Sequence, residues 1–135
     1  MKNKIFLISG GSGFIGTNLV KYLLSKKCKV INIDKKTYAS NKNTFNNKNY
    51  FEYKFDIKNT EKLIQIIKKY RPSTFFHLAA ETHVDNSIIS PRKFIDTNII
   101  GTYSVLESIR YLSQKGISIN LIHISTDEVY GDLFD

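Results

Sequence analysis

The sequence of 135 residues has few of the features that build covalently linked or membrane-spanning structures. Cys28 is the one cysteine, so neither an intrachain disulfide nor a metal site with several cysteines can form. No apolar run approaches the roughly 20 residues that a membrane helix needs. Residues 1–4 lead directly into an apolar run, which leaves no room for a signal peptide. We therefore expect a soluble protein in a reducing, cytoplasmic setting, without a membrane partner.

Arginine is scarce as well. The 20 basic residues outnumber the 12 acidic ones and give a net charge of +8, yet only Arg71, Arg92 and Arg110 are arginines. Proteins that read nucleic acids usually use arginine for bidentate contacts and cluster their positive charge, whereas the lysines here are scattered along the chain. The pattern indicates a solvated lysine-rich surface, and we expect no nucleic-acid partner.

Five short apolar runs predict the strands of a parallel sheet, because helical spacing of apolar residues separates them. Strands and helices that alternate in this way are joined by right-handed crossovers. The predicted strands cover residues 5–8, 29–33, 50–55, 74–78 and 119–124, and residues 35–49 form a loop. The last run is expected to be buried. A long helix is predicted from near Pro91 to Gly116, with an apolar face formed by Phe94, Ile95, Ile99, Val105, Leu106, Ile109 and Leu112.

A glycine-rich turn follows the first strand. Gly10, Gly13 and Gly16 have the spacing G-x-x-G-x-x-G, a variant of the dinucleotide-binding fingerprint. The early glycines permit the turn and the approach of a pyrophosphate, and the third permits close packing of the following helix. The fold class predicted is α/β, a Rossmann-like doubly wound parallel sheet of order 3-2-1-4-5. It is incomplete, because about five strands are present where the fold typically has about six.

Two acidic residues end the second and third predicted strands. Asp34 lies at a distance suited to the adenosine ribose hydroxyls, and its charge would repel a 2′-phosphate, which favours NAD over NADP. The neighbouring Lys35 and Lys36 could soften that discrimination. Asp56 either bonds the adenine amine or simply flanks the following helix, and the sequence leaves both interpretations open.

A hydroxyl and two adjacent carboxylates follow the fifth predicted strand, in Thr126, Asp127 and Glu128. The carboxyl ends of strands are where open α/β sheets bind ligands. Neighbouring carboxylates in a closed site can have separated pKa values, so that one serves as acid and the other as base. We interpret them as acid/base groups of an enzyme. His77 and His123 lie inside strands and are expected to be structural, whereas His83 and Asp85 receive no role.

Four motifs occur in an order that resembles the amino-terminal part of the dTDP-glucose 4,6-dehydratases, a family of extended short-chain dehydrogenase/reductases. The resemblance spans the whole chain, and its motifs lie at residues 10–16, 34–39, 77–85 and 125–131. It implies that residues 1–135 are an NAD-binding domain, truncated before the Tyr-x-x-x-Lys helix and the substrate domain of that family. It also implies a homodimer for the complete enzyme and no metal.

The resemblance further assigns roles to individual residues. Beside the three glycines, the NAD site would contain Phe14, Ile15, Asp34, Lys35, Lys36, Thr37, Asp56, Ile57, Leu78, Ala79, Ala80, Glu81, Thr82 and Thr97. Thr82 and Thr126 would contact a nucleotide-linked glucose. The family reaction oxidises the sugar at C4, eliminates water across C5 and C6 and returns the hydride to C6. In that scheme Thr126 belongs to the catalytic group, Asp127 protonates the departing C6 hydroxyl and Glu128 removes the C5 proton.

The redox step of the superfamily also needs a Tyr-x-x-x-Lys pair on the helix after Gly131. Four such spacings occur, and all of them precede Gly131: Tyr22/Lys26, Tyr38/Lys42, Tyr50/Lys54 and Tyr111/Lys115. We therefore expect the 135-residue chain alone to be an inactive NAD-binding fragment. The alternatives are a fragment of a UDP-sugar dehydratase or epimerase, and a stand-alone dinucleotide-binding module.

Overall fold

The computed structural model describes residues 4–37, 40–41 and 45–131, with the backbone alone at positions 84, 86, 127 and 128. Tyr38, Ala39 and Lys42, which belong to one motif and one Tyr-x-x-x-Lys spacing, lie outside these residues. Five parallel strands form one sheet of order β3-β2-β1-β4-β5. The strands are β1 (Ile5–Ser9), β2 (Lys29–Asp34), β3 (Tyr50–Lys54), β4 (Thr74–His77) and β5 (Asn120–His123). The predicted fold class and strand order are confirmed.

The helices connect the strands as parallel crossovers. They are α1 (Phe14–Ser25), α2 (Thr60–Tyr70), α3 (Val84–Ile89), α4 (Pro91–Phe94) and α5 (Thr102–Gln114), with a π-helical segment (Ile95–Gly101) joining α4 to α5. A 3₁₀ turn (Asp127–Tyr130) follows β5. Asn59 caps α2, because its side-chain oxygen accepts a hydrogen bond from the Lys62 N–H at 3.0 Å. In the part of the chain that the structure describes, no helix is long and apolar enough to cross a bilayer.

The sheet separates two apolar layers, as expected when successive strand residues point to opposite faces. Leu7 of β1 packs in the layer that contains residues of α2 and α5, such as Leu63 and Val105. Its neighbour Ile8 packs in the other layer, which includes Val20 of α1. Helices on both faces are the doubly wound arrangement, in which a ligand site forms at the carboxyl edge of the sheet.

The last strand differs from the prediction. The run 119–124 was expected to be buried, but Ile122 and Ile124 are 42% and 43% exposed. β5 lies at the edge of the sheet and pairs with β4. An apolar run indicates a strand, but it cannot indicate whether the strand lies in the centre of the sheet or at its edge.

The prediction for the long helix was right in extent and partly wrong in orientation. Ile95, Ile99 and Leu106 are 51%, 60% and 49% exposed. Val105 and Leu112 of the predicted face are buried, and the rest of the face that packs inward is formed by the small residues Thr97, Gly101, Ser104 and Ser108. Small residues let the helix approach the layer beneath closely, and a Cβ at position 101 would lie 2.6 Å from Ile57 Cδ1. The short α3 was not predicted.

Candidate dinucleotide site

The glycine turn after β1 is held between the ends of two other strands. The Gly10 N–H donates to the Ile33 carbonyl of β2 at 2.9 Å. Gly10 has φ +75°, and a Cβ there would lie 2.7 Å from the backbone nitrogen of Ala79, just after β4. Position 10 therefore requires glycine both for its left-handed backbone and for the close approach of a neighbouring chain segment.

Helix α1 begins directly after this turn in a way suited to an anion. Gly13 is its N-cap, no side chain caps it, and its first turn holds no acidic residue. The first N–H groups of a helix have no intrahelical acceptor and carry a partial positive charge. A Cβ at Gly16 would overlap the Gly10 carbonyl oxygen, so the backbone of the turn lies directly against the helix. Phe14 and Ile15, at the start of α1, are 82% and 60% exposed.

Asp34 ends β2 with its carboxylate held in place by the backbone. Its Oδ2 accepts from the Ser12 N–H at 3.0 Å, and its Oδ1 accepts from the Lys36 N–H at 2.8 Å. The Ser40 hydroxyl donates to Oδ1 at 3.3 Å. The residue is only 8% exposed. The acid therefore lies against the glycine turn, which is where the ribose next to a bound pyrophosphate would lie.

The two lysines beside this acid are both engaged with carboxylates. Lys35 Nζ lies 3.1 Å from Glu81 Oε1 and donates to Thr97 Oγ1 at 3.0 Å. Lys36 Nζ lies 2.7 Å from Glu52 Oε1 on β3. The charge that could soften the discrimination against a 2′-phosphate is therefore paired in both cases.

The segment after β4 is fixed by a residue that the sequence analysis did not single out. Asn98, in the π-helical segment, accepts from the Glu81 N–H at 2.8 Å and donates to the Glu81 carbonyl at 2.9 Å. This pair of hydrogen bonds fixes the backbone at Glu81, while the Leu78 N–H donates to the Ser9 carbonyl at 3.0 Å. The available signal was an amide side chain directly before two isoleucines, Ile99 and Ile100, but nothing local indicates its distant partner.

Two adjoining cavities lie at this edge of the sheet and share Lys35, Thr37, Asp56, Glu81 and Thr97. The smaller cavity, about 110 Å³, adjoins the glycine turn, and the larger, about 620 Å³, extends toward α3 and α4. Thirteen of the residues predicted to bind the cofactor line the smaller cavity: Gly10, Gly13, Asp34, Lys35, Thr37, Asp56, Ile57, Leu78, Ala79, Ala80, Glu81, Thr82 and Thr97.

The other predicted residues lie elsewhere. Phe14, Ile15, Gly16 and Lys36 do not line either cavity, and neither does Thr126, which is exposed after β5. Asp127 and Glu128 are described by their backbone, which begins the 3₁₀ turn. Their side chains lie outside the described residues. Since β5 is parallel to β1 and β2, this turn follows the same carboxyl edge of the sheet that the glycine turn and Asp34 occupy.

His77 is a satisfied buried histidine, as predicted. Its Nδ1 lies 2.7 Å from the Ser9 hydroxyl and its Nε2 lies 3.1 Å from the Thr102 hydroxyl. Its ring stacks on His123 with the centroids 5.0 Å apart. Burial, with a further contribution from the charge of His123, lowers the pKa of His77 from 6.5 to about 4. His83 lines the smaller cavity, and Asp85 is exposed in the first turn of α3.

Comparison with known proteins places the chain in a family. The family model described as GDP-mannose 4,6 dehydratase matches residues 7–135. The chain belongs to this family.

Relatives of this dehydratase-family chain agree with the predicted resemblance, which is confirmed. The dTDP-glucose 4,6-dehydratase of Haemophilus influenzae is 44% identical over 94% of this chain and 40% of its own length. The crystal structure of dTDP-glucose 4,6-dehydratase from Bacillus anthracis, in complex with NAD, is 38% identical with a TM-score of 0.79, over 97% of this chain and 40% of that one. The chain thus spans about 40% of the length of these relatives.

The dehydratase-family fold is shared with epimerases. UDP-glucose 4-epimerase of Thermotoga maritima, with UDP-glucose, is 32% identical with a TM-score of 0.82, over 97% of this chain and 41% of that one. Fold similarity therefore does not by itself distinguish dehydration from epimerisation.

Proposed function

We propose that residues 1–135 form the NAD-binding part of a nucleotide-sugar 4,6-dehydratase that acts on dTDP-glucose. The observation that carries the cofactor half is the Asp34 carboxylate, which the Ser12 and Lys36 N–H groups orient beside the glycine turn. The carboxylate also accepts from the Ser40 hydroxyl at Oδ1, and its Oδ2, which has one donor, keeps a lone pair that can accept from a ribose hydroxyl.

The residues around the cleft fit the parts of a dinucleotide. The uncapped start of α1 would take the pyrophosphate, Asp34 the adenosine ribose and Asp56 the adenine amine. Gly10 and Gly13 line the smaller cavity, and a Cβ at Gly13 would have only the Gly10 carbonyl oxygen near it, at 3.3 Å, so a pyrophosphate can approach the backbone of the turn. When bound, NAD would supply the hydride acceptor for oxidation at C4 of the sugar and the hydride donor at C6.

Dehydration needs a proton donor and a proton acceptor on the same substrate. In our proposal Asp127 donates a proton to the C6 oxygen as the C6–O bond breaks and water leaves. Glu128 takes the C5 proton, which the neighbouring C4 ketone acidifies, and Thr126 contacts the sugar. The support is the family resemblance together with the position of these residues after β5 at the cofactor edge of the sheet.

The proposal covers both the 135-residue chain and a complete enzyme. The 135-residue chain would bind NAD but convert no sugar nucleotide, because no Tyr-x-x-x-Lys pair follows Gly131 in it. A complete enzyme would be cytoplasmic and a homodimer. Exposed apolar side chains on the long helix, among them Ile99 and Tyr103 at 60% each, support association with another surface.

Calorimetric titration with NAD⁺ tests the cofactor half. The folded chain should bind NAD⁺, and Asp34→Ala should weaken binding about tenfold or more, because hydrogen bonds between ribose and a charged group are lost. Glu107→Gln, which removes a carboxylate from an exposed ion pair with Arg110, is the matched control and should leave the affinity unchanged. Absence of binding at millimolar NAD⁺ in a folded sample would contradict the proposal.

An assay for products separates the remaining candidates. A protein that extends beyond the chain with the Tyr-x-x-x-Lys pair should form a 4-keto-6-deoxy sugar from dTDP-glucose. Conversion of UDP-glucose to its C4 epimer without loss of water would favour the epimerase alternative. The similarity to the Thermotoga maritima enzyme is the observation that supports this alternative. Keto-sugar formation by the 135-residue chain itself would overturn its assignment as an inactive part.

A further inference from the structure

The carboxylate of Glu52 on β3 is the meeting point of four donors next to the glycine turn. Its Oε1 accepts from Lys36 Nζ at 2.7 Å and from the Tyr50 hydroxyl at 2.9 Å. Asn32 Nδ2 and the Ser12 hydroxyl donate to the same oxygen at 3.3 Å and 3.4 Å. Such a convergence holds one oxygen at a fixed place, whereas a typical surface ion pair has a single contact and contributes little.

Asn32 anchors this network in the interior. Its side chain is fully buried, and its neighbours along β2, Val30, Ile31 and Ile33, are apolar. Its Oδ1 accepts from the Gly11 N–H at 2.9 Å, and its Nδ2 also donates to the Tyr50 hydroxyl at 3.0 Å. Buried polar groups persist where their hydrogen bonds are satisfied. The network therefore ties Glu52 rigidly to the backbone of the glycine turn.

Lys36 is placed in this network by its backbone as well as by its charge. Its φ is +57°, a left-handed conformation that costs a lysine about 1 kcal/mol. The N–H of the same residue donates to Asp34, so Lys36 is the immediate neighbour of the acid proposed to hold the adenosine ribose. Without Glu52, its ammonium group would be the natural partner for a phosphate on the ribose 2′ position.

We propose that Glu52 determines cofactor choice by holding the Lys36 ammonium group away from the ribose 2′ position, so that the site takes NAD and rejects NADP. This inference rests on the proposed NAD site. With Lys36 neutralised, Asp34 leaves a net negative charge beside the 2′ position, which repels a phosphate. Partial burial alone would raise the pKa of Glu52, but the hydrogen bonds from Lys36 and Tyr50 and the charge of Lys36 lower it, so the carboxylate stays charged at neutral pH.

Lys35, the other lysine next to Asp34, is also paired with a carboxylate. Lys35 pairs with Glu81, whose side chain is 17% exposed, and also donates to Thr97. Both cations next to Asp34 thus face a carboxylate from another strand or loop. Lys35 lines the cavities, however, whereas Lys36 and Glu52 do not. Glu52 can therefore be changed without altering the cavity lining, which makes it the more informative residue to test.

The test compares NAD⁺ and NADP⁺ binding by calorimetry for the 135-residue chain and three variants. Glu52→Gln removes the charge, keeps an oxygen for Tyr50 and Asn32, and frees Lys36. We expect NADP⁺ affinity to rise about tenfold, the size of one hydrogen bond to a charged group, with NAD⁺ affinity little changed. In the double variant Glu52→Gln/Lys36→Met the gain should disappear. Glu107→Gln, which breaks the exposed ion pair with Arg110, should behave as the wild type.

The outcomes separate this inference from the proposed function. NAD⁺ binding with an unchanged NAD⁺/NADP⁺ ratio in Glu52→Gln would overturn the role of Glu52 and leave the NAD site standing. A gain that persists in the double variant would overturn the role of Lys36. Failure of the wild type to bind either dinucleotide would overturn both proposals. Circular dichroism checks that each variant is folded. If Glu52→Gln does not fold, Glu52→Ala removes the same charge and should also raise the affinity for NADP⁺.

Discussion

Acid should destabilise this protein through one buried histidine. His77 is fully buried, and its two ring nitrogens face the hydroxyls of Ser9 and Thr102. Burial, together with the charge of His123, lowers its pKa from 6.5 to about 4. Since one pKa unit corresponds to about 1.4 kcal/mol, protonation of the folded state costs about 3 kcal/mol relative to the unfolded state.

The sign follows from which state binds the proton first. Between pH 6.5 and pH 4 the unfolded chain is protonated at His77 and the folded chain is not, so stability falls as the pH falls. Above pH 6.5 the stabilisation is fully present, and below pH 4 the loss is complete. The lost free energy, about 3 kcal/mol, is a large share of the 5–15 kcal/mol that is typical of domains.

Urea unfolding at a series of pH values measures this effect. His77→Asn retains a polar partner for Ser9 but does not titrate, so its free energy of unfolding should fall less steeply than that of the wild type between pH 6.5 and 4. His123→Phe keeps the stacked ring and removes the charge, and should raise the pKa of His77 as read from its NMR ring signals. Parallel pH curves for the wild type and His77→Asn, or titration of His77 near 6.5, would refute the reasoning.

Two further substitutions test the architecture of the site. Gly10→Ala should lower the free energy of unfolding by at least about 2 kcal/mol, because it combines φ +75° with a Cβ 2.7 Å from the Ala79 nitrogen. Gly116→Ala, with φ +76° and no atom within 4 Å, is the matched control and should lose only about 1 kcal/mol; equal losses in urea unfolding would contradict the steric argument. Asn98→Ala removes both hydrogen bonds to the Glu81 backbone. It should weaken NAD⁺ binding several-fold in calorimetry while the protein stays folded. Unchanged affinity would show that these hydrogen bonds are not needed to position the segment after β4 for NAD⁺.

The turn between β1 and α1 was predictable because its determinants are local. A short apolar run, three glycines and a helical repeat lie within about twenty residues, and each has one dominant structural solution. The position of Asp34 was predictable for the same reason, because it ends the next strand. The strand order followed from the doubly wound fold that the glycine turn and the alternation of strands and helices indicated.

The contacts that refine the site were not predictable, because they join residues far apart in sequence. Glu52 reaches Lys36 and Ser12 across neighbouring strands, and Asn98 reaches Glu81 from a helix. A charged residue on a strand is ordinarily interpreted as solvated, so nothing in the local pattern marked Glu52. Asn32 did leave a signal, as the polar residue in the middle of the apolar run of β2.

The pattern of large apolar residues gave a partly wrong orientation for the long helix and a wrong burial for β5. The inward helix face includes Gly101, Ser104 and Ser108. The hydroxyls of the two serines donate to carbonyls of the preceding turn, from Ser104 to Ile100 and from Ser108 to Ser104. Serine satisfied in this way can be buried at low cost. A pattern that counts only large apolar residues assigns such a face to solvent.

Chemical-shift mapping with NAD⁺ tests the central claim most directly. The claim is that a dinucleotide lies across the glycine turn, the end of β2 and the segment after β4. In ¹⁵N-labelled protein the amide signals of Gly10, Gly13, Lys35 and Glu81 should move together on addition of NAD⁺, with one common dissociation constant. Those of α2, such as Lys68, should remain in place. Shifts confined to residues away from the glycine turn, or no shifts at millimolar NAD⁺, would contradict the account.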